Sequence, residues 1–483
     1  VTFNSIEYLF FFIFVFVLYW FLANKNLIFQ NFILLFSSYI FYSFWDWRFL
    51  FLLLFSTLLD FSFAFLIQNS NNHKAKRAFL WISIFINVGI LCVFKYYNFF
   101  ITAFIDGLNQ IGFIVNPILV NLILPIGISF YTFHGLSYVI DVYKKRILPE
   151  NSFINYALFV SFFPLLVAGP IERATHLLPQ IKKKRSFDYN NASNGLKQIF
   201  WGLFKKIIIA DNCAIVADTI FDNSDNLSGS TLVLGAIFFA FQIYGDFSGY
   251  SDIALGSARL FGIELLQNFS FPYFSRNIPE FWKRWHISLS TWFRDYLYIP
   301  LGGSKKGVLF QIRNIFLVFV VSGLWHGANW TFLIWGTLNA FFFIPFVFFR
   351  PIDNQKDIVG KGKVLPTIHE LIQMISTFSL VIFGWIFFRS ENISHALSYI
   401  SSIFSFSFFS VPSFQGMTDA LITIVFLFIF VLIEWFGREG KFALDKPKFF
   451  QGRIFRWIFY SLLIFSIGMF WPSRESPFIY FQF

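Results

Sequence analysis

Two histidines, His286 and His326, are the side chains of this sequence best placed to do chemistry. They stand in the stretch 281–329, which reads FWKRWHISLSTWFRDYLYIPLGGSKKG and, after Arg313, NIFLVFVVSGLWHGAN. An ionisable group in so apolar a setting costs free energy unless it is paired or lines a wet cavity, so it marks a site. A desolvated imidazole stays neutral and can accept a proton from a hydroxyl. Gly327 removes side-chain bulk beside His326 and lets a substrate approach. A satisfied structural histidine fits the same spacing. His286 lies one helical turn from Trp282 and from Ser290, so a continuous helix puts these three on one face and Lys283, Ile287 and Arg294 on another. That pattern also suits an aromatic anchor with a hydrogen-bonding histidine.

The elements that must hold these residues are membrane spans. The 483 residues are 57% hydrophobic and 13% charged, which makes the bilayer the solvent. A net charge of +11 serves topology and anionic headgroups in such a chain, and with no RNA-binding module visible it does not indicate nucleic acid. Cys92 and Cys213 lack CxxC or histidine spacing, so neither a disulfide framework nor a metal site is expected. Apolar runs at 6–22, 27–44 and 49–67 each approach the ~20 residues that cross a hydrocarbon core. The first has no basic residues ahead of it and no cleavage pattern after it, so it is a retained span.

The polar stretch 69–77 carries His73, Lys74, Lys76 and Arg77 and is cytoplasmic by the positive-inside rule. Counting back places the N-terminus outside and Lys25 inside, with Arg48 left on the outer side. Runs 78–94 and 118–140 lead out and back to Lys144, Lys145 and Arg146, while 153–168, short and followed by Gly169 and Pro170, is a re-entrant hairpin before the basic run Lys182 to Arg185. Segment 195–210 carries Lys197, Lys205 and Lys206 and is either an interfacial amphipathic helix or a span with cationic ends. The run 231–244 continues into Asp246 and Asp252, with Gly245 and Gly249 spaced for close helix contact. Asn277, Pro279 and Glu280 form a helix start with a capping-box arrangement.

Lys305, Lys306 and Arg313 on one flank, and Arg350, Lys356, Lys361 and Lys363 on the other, are both cytoplasmic by charge. Residues 315–349 must therefore enter and return, which places His326, Gly327, Ala328 and Asn329 near an apex inside the membrane. Runs 371–388 and 420–436 lead to a basic loop with Arg438, Lys441, Lys446, Lys448, Arg453 and Arg456, and 457–471 leads out to a short external tail. No internal repeat is visible.

FWKRWHISLS, DYLYIPLGG and LWHGANW resemble the membrane-bound O-acyltransferase (MBOAT) family, in the AlgI-like branch of alginate O-acetylation proteins, related to the DltB branch that D-alanylates teichoic acid. QIYGDFSGYSDIALG is similar to a further block, with Gly245 where an aromatic is usual. LPIGISFYTFHGLSYVIDVYKKR, with His134 in a place commonly held by Gln, and PLLVAGPIER match as well. The motifs are dense from 124 to 339. The resemblance implies one membrane domain over 1–483, an all-α polytopic bundle with a central funnel and re-entrant segments.

The same resemblance implies that His326 is the active-site residue and general base and that His286 assists or orients the substrate. It implies no bound cofactor, acetyl-CoA as cytoplasmic acyl donor, and a hydroxyl acceptor on a cell-surface or exported alginate-type polysaccharide. D-alanyl transfer to teichoic acid and peptidoglycan O-acetylation are the alternatives. Substrate-binding candidates are Trp282, Trp285, Trp325 and Asn329, with the Trp325 indole N–H and the Asn329 amide as oxyanion donors. Lys283, Arg284 and Arg294 meet the phosphates of coenzyme A or anchor the helix at headgroups. Asp246 and Asp252 are further candidates, although acids near helix ends often pair structurally, here with Arg259. A secreted or membrane-anchored SGNH-type acyltransferase is the implied partner and the bacterial inner membrane the implied location. A transporter or flippase with a proton relay through His286, His326 and Asp246 is the alternative of a different class; lack of an inverted repeat counts against it.

Overall fold

The computed structural model describes residues 2–22, 26–167, 169–349, 358–445, 452–471 and 478–479. Lys25, Ala168, Arg350, Lys356, Lys446 and Lys448 lie outside the described residues. Among the described residues the chain is helical, without strands. Eight helices are long and apolar enough to cross a bilayer, so this is an all-α, multi-pass membrane protein. The helices Leu27–Asp46 and Arg48–Asn69 fall on the apolar runs that predict them. The run at 118–140 does not: residues 113–125 carry no helix, and the chain turns helical only at Ile128, after Pro125 and a left-handed Gly127 (φ 75°).

By its contacts the chain forms two units, Val1–Ala192 with Ser257–Leu266, and Ser193–Gly256 with Gln267–Phe483. Polar networks tie the first unit together. Asp60, 1% exposed, accepts hydrogen bonds from Asn87 (2.7 Å) and Ser83 (3.1 Å), as a buried carboxylate must if it is to be tolerated. His134 is buried and its Nε2 accepts the backbone N–H of Glu172 at 3.0 Å. Glu172 in turn binds His176 Nδ1 at 2.8 Å, and this carboxylate raises the His176 pKa above the ordinary histidine value. The 153–168 segment is a nine-residue helix, Phe153–Ser161, a break at Phe162 and the short Phe163–Leu166, the broken and buried form a re-entrant segment requires. Arg185, grouped by sequence with exposed lysines, is buried; its Nε donates to Tyr19 Oη at 2.6 Å.

In the second unit the helix Gly229–Leu260 packs against a π-helical turn, Phe204–Ala210. Glycine permits this: a Cβ on Gly249 would lie 2.8 Å from Gly202 O, and one on Gly202 would lie 2.6 Å from Gly249 O. The close approach brings charges together inside the unit. Lys205 Nζ meets Asp252 Oδ2 at 2.5 Å, and Lys206 Nζ meets Asp246 Oδ1 at 2.9 Å and Asp211 Oδ1 at 2.8 Å. Lys205 and Lys206 are 3% and 1% exposed, so segment 195–210 ends in neither an interfacial face nor cationic span ends. Nor are the partners of Asp246 and Asp252 those that spacing to Arg259 suggests. Truncating one member of a buried pair leaves the other uncompensated, at a cost of about 3–5 kcal/mol. Lys206→Ala is therefore expected to unfold at a markedly lower temperature in detergent, with Lys206→Arg nearer to wild type. Equal melting of Lys206→Ala and wild type would contradict the pairing.

Candidate active site

His326 ends the helix Val308–His326, and residues 327–329 turn the chain into Trp330–Phe343. Two glycines let the arms of this hairpin touch backbone to backbone: a Cβ on Gly323 would sit 2.3 Å from Phe332 O, and one on Gly336 2.3 Å from Phe319 O. At 19 residues and ~1.5 Å per residue the first arm is ~28 Å long, a full crossing. The turn thus forms the apex of a hairpin of two long arms, as the charge pattern predicts. Gly327 has extended backbone (φ −163°), so conformation does not demand glycine there; space does, because a Cβ would lie 2.1 Å from the Phe332 ring. The space beside Gly327 is filled by the Phe332 ring. Asn329 caps the second arm through Thr331 N (3.1 Å), and its amide donates to Glu391 O (2.9 Å). One N–H of that amide therefore holds the turn.

The His326 side chain is 3% exposed and boxed by aromatic rings: Trp325 at 5.0 Å, Trp335 at 5.1 Å and Phe388 at 5.4 Å between centroids. Trp325 also contacts the His286 ring, at 5.9 Å, so one indole touches both imidazoles. Phe247, on the residue after Asp246, packs against His286 at 4.7 Å.

His286 is not on a continuous helix. Ile278–Arg284 and Ile287–Phe293 are separate helices, and His286 forms the corner between them in the left-handed region (φ 43°, ψ 54°). The predicted face of Trp282, His286 and Ser290 is therefore broken. A side chain other than glycine held there stores strain, which the surroundings must over-determine and which clusters at functional sites. Asn268 supplies the restraint: its backbone O accepts Ile287 N at 2.9 Å and its Oδ1 accepts Ser288 Oγ at 2.5 Å. The cap at Asn277 is as predicted, accepting Glu280 N at 2.9 Å, while the Glu280 carboxylate reaches Arg276 N. Burial pushes the His286 imidazole well below its ordinary pKa, so it is neutral.

A cavity of about 300 Å³ adjoins the two histidine segments. Gln311, Ile315, Val318, Phe319 and Ser322 line it from one face of the Val308–His326 helix, a length of ~16 Å that stops one turn short of His326. Trp282, Ser290 and Arg294 line it from the corner helices. The buried indole N–H of Trp282 finds no acceptor among the described residues. At the other end stand Tyr298 and Ser304, hydrogen-bonded at 3.0 Å, followed by the exposed Lys305 and Lys306.

The expected cations divide. Arg284 is held by Glu280 (2.8 Å) and braces the corner, Lys283 is exposed, and Arg294 lines the cavity with its Nε on Asp295 at 2.8 Å. Trp285 is 1% exposed and belongs to the core, against Phe281, Tyr273 and Trp385. Asp246 and Asp252 reach the site through Phe247 and the buried ion pairs, with no place in the cavity lining. Trp335, Phe388, Ser322 and Asn268 carried no motif of their own in the sequence. Among the described residues no three His, Cys, Asp or Glu side chains are grouped to hold a metal ion.

The model of the membrane-bound O-acyltransferase family matches residues 143–359. The chain is 35% identical over 507 aligned residues to a protein of Pseudomonas putida named "Probable alginate O-acetylase AlgI", covering all of both chains. It is 37% identical to a Helicobacter pylori "Peptidoglycan O-acetyltransferase", over 78% of this chain and 74% of that one. A Bacillus subtilis "Teichoic acid D-alanyltransferase" is 30% identical over 57% of this chain and 71% of its own length. With the boxed histidine on its hairpin and full-length similarity to such enzymes, the chain belongs to the membrane-bound O-acyltransferase family and is an O-acyltransferase.

Proposed function

We propose that this enzyme takes an acetyl group from acetyl-CoA on the cytoplasmic side of the bacterial inner membrane and passes it to a hydroxyl on the opposite side. The acetyl group is destined for a cell-surface or exported polysaccharide of the alginate type. The observation that carries this reading is the cavity along the Val308–His326 helix, which leads from the Lys305–Lys306 end toward His326. A slender acyl-pantetheine arm fits such an apolar passage, and the lysines with Arg294 suit its phosphates. The names of the relatives in Pseudomonas putida and Helicobacter pylori support acetyl as the group.

His326 is the general base. Its neutral imidazole takes the proton of the acceptor hydroxyl as that oxygen attacks the thioester carbonyl. The tetrahedral oxyanion needs donors, and the Trp282 and Trp325 indole N–H groups are the candidates on hand. Collapse breaks the C–S bond; the thiolate leaves with the proton from His326, giving the ester and free CoA with all atoms and charges balanced. The thiolate is a good leaving group, so no acyl-enzyme is needed. His286, fixed in its corner and touching Trp325, is a positioning residue for that indole and for the substrate.

Polymer is reached through a partner. The longest segment assigned to the outer face, the ~30 residues of 389–419, falls below the roughly 40 at which unaided domains begin to fold. A secreted or membrane-anchored acyltransferase of the SGNH type collects the acetyl group there. D-alanyl transfer is the second reading, favoured by the similarity to the Bacillus subtilis enzyme. Purified protein in nanodiscs, given acetyl-CoA or a D-alanyl thioester of a carrier protein, separates the two by which donor releases free thiol. Release from acetyl-CoA is expected; release from the D-alanyl thioester alone would replace acetyl with D-alanyl.

A further inference from the structure

A second cavity in the same unit, of about 170 Å³, lies between the helices Ile368–Arg389 and Met417–Gly437 and is separate in its lining from the one above. Met374, Ile375, Phe378, Phe430 and Val431 give it apolar walls. Its rim faces lipid: Leu371 and Ile375 line it and are 40% and 57% exposed on a helix of membrane-crossing length. Its inner end is closed by Tyr244, whose hydroxyl donates to Glu434 Oε2 at 2.7 Å.

The chain builds a rigid cationic ledge at the mouth end. Arg438 stacks on Trp435 at 3.8 Å and donates through Nε to Val359 O (2.7 Å) and through Nη2 to Lys363 O (2.8 Å). Trp435 Nε1 donates to Val364 O at 2.7 Å. The clamp pins residues 359–364 and leaves Lys361 and Lys363 exposed, next to Val364, Leu365 and Ile368 at 69%, 73% and 77% exposure. Lysines beside exposed aliphatic side chains at the end of a span mark the headgroup level, and the positive-inside rule makes it the cytoplasmic leaflet. The nearby carboxylates are engaged by the clamp itself, Glu370 by the Thr367 and Gly360 N–H groups and Glu439 by Gly362 N–H. Among the described residues neither Lys361 nor Lys363 has a carboxylate partner.

We propose that this cavity is a binding site for an anionic phospholipid of the cytoplasmic leaflet, one acyl chain entering between Met374 and Val431 and the phosphate resting on Lys361 and Lys363. The complementarity is of two kinds, an apolar slot open to the bilayer and, in the segment that precedes the Ile368–Arg389 helix, lysines with no carboxylate partner among the described residues. The site also touches the catalytic region. Tyr244 and Tyr273 line it, and both rings pack on Trp285 at 6.0 Å, the residue that precedes the strained His286. Lipid in the slot therefore braces the corner from behind.

The test uses the full chain in nanodiscs of equal phosphatidylglycerol and phosphatidylcholine, extracted into mild detergent and read by native mass spectrometry. Wild type is expected to retain one phosphatidylglycerol, at several-fold excess over phosphatidylcholine. Met374→Trp fills the slot and should lose retained lipid of both kinds, whereas Met374→Leu should keep it, which separates occupancy from misfolding. Lys361→Glu with Lys363→Glu should keep a lipid but lose the preference for phosphatidylglycerol. Equal retention of the two lipids by wild type, or unchanged retention by Met374→Trp, overturns the proposal. So does displacement of the lipid by acetyl-CoA, which would assign the slot to the acyl donor. Because the readout is bound lipid, it stands or falls independently of which acyl group the enzyme transfers.

Discussion

Replacing His326 with alanine is expected to lower acyl transfer by ~10²–10⁴-fold, the range a positioned general base contributes. The fold should survive. His326 is the last residue of its helix, the backbone bond Gly327 N to Gly323 O does not involve its side chain, and the turn is held by Asn329. The readout is free thiol released from acetyl-CoA in the presence of an acceptor, together with a melting curve. A His326→Ala enzyme that melts like wild type and turns over within a few-fold of it would remove the imidazole from the mechanism. A variant that instead loses its folded peak would make His326 a packing residue of the aromatic box. His286→Ala should fall between these limits, because it relaxes a corner that positions Trp325 without removing the base.

The second large effect is all-or-none and concerns the partner. Cells that express this chain alone should show no O-acetyl ester on their exported polymer, and addition of a compatible secreted acyltransferase should produce it. The expectation rests on the length of the segments assigned to the outer face, the longest of which, 389–419, is shorter than the roughly 40 residues at which unaided domains begin to fold. Base-labile acetate released from purified polymer is the measure. Efficient acetylation with this chain as the sole added protein would mean that the sugar enters the membrane domain itself.

Much of the fold was legible because the bilayer imposes length and apolarity on a helix, and both are visible in composition. Leu27–Asp46 and Arg48–Asn69 stood out for that reason, and the Asn277 cap because it uses local backbone donors. What failed to show depends on partners distant in the sequence. Lys205 and Lys206 look like solvated charges until a π-helical turn brings them to Asp252 and Asp246, some forty residues away. His286 sits at helical spacing from Trp282 with neither Gly nor Pro between them, so nothing local announces a left-handed corner; Asn268 enforces it from another segment. Phe388, which walls His326, is one of 78 phenylalanines and carries no distinguishing pattern. The histidines themselves were legible because polarity is rare in such surroundings. The purpose of Gly327 was not, since only the position of the Phe332 ring shows that it answers to packing.

The measurement closest to the central claim is one-sided turnover in sealed proteoliposomes of uniform orientation. Acetyl-CoA labelled in the acetyl group is supplied only to the face that carries Lys305 and Lys306, and the partner acyltransferase only to the other. Free CoA should then accumulate on the donor face while labelled ester appears on the opposite one, in equal amounts, and neither should form with His326→Ala. Thiol and ester appearing on the same face, or turnover that is indifferent to the face receiving acetyl-CoA, would contradict transfer along the hairpin cavity to His326.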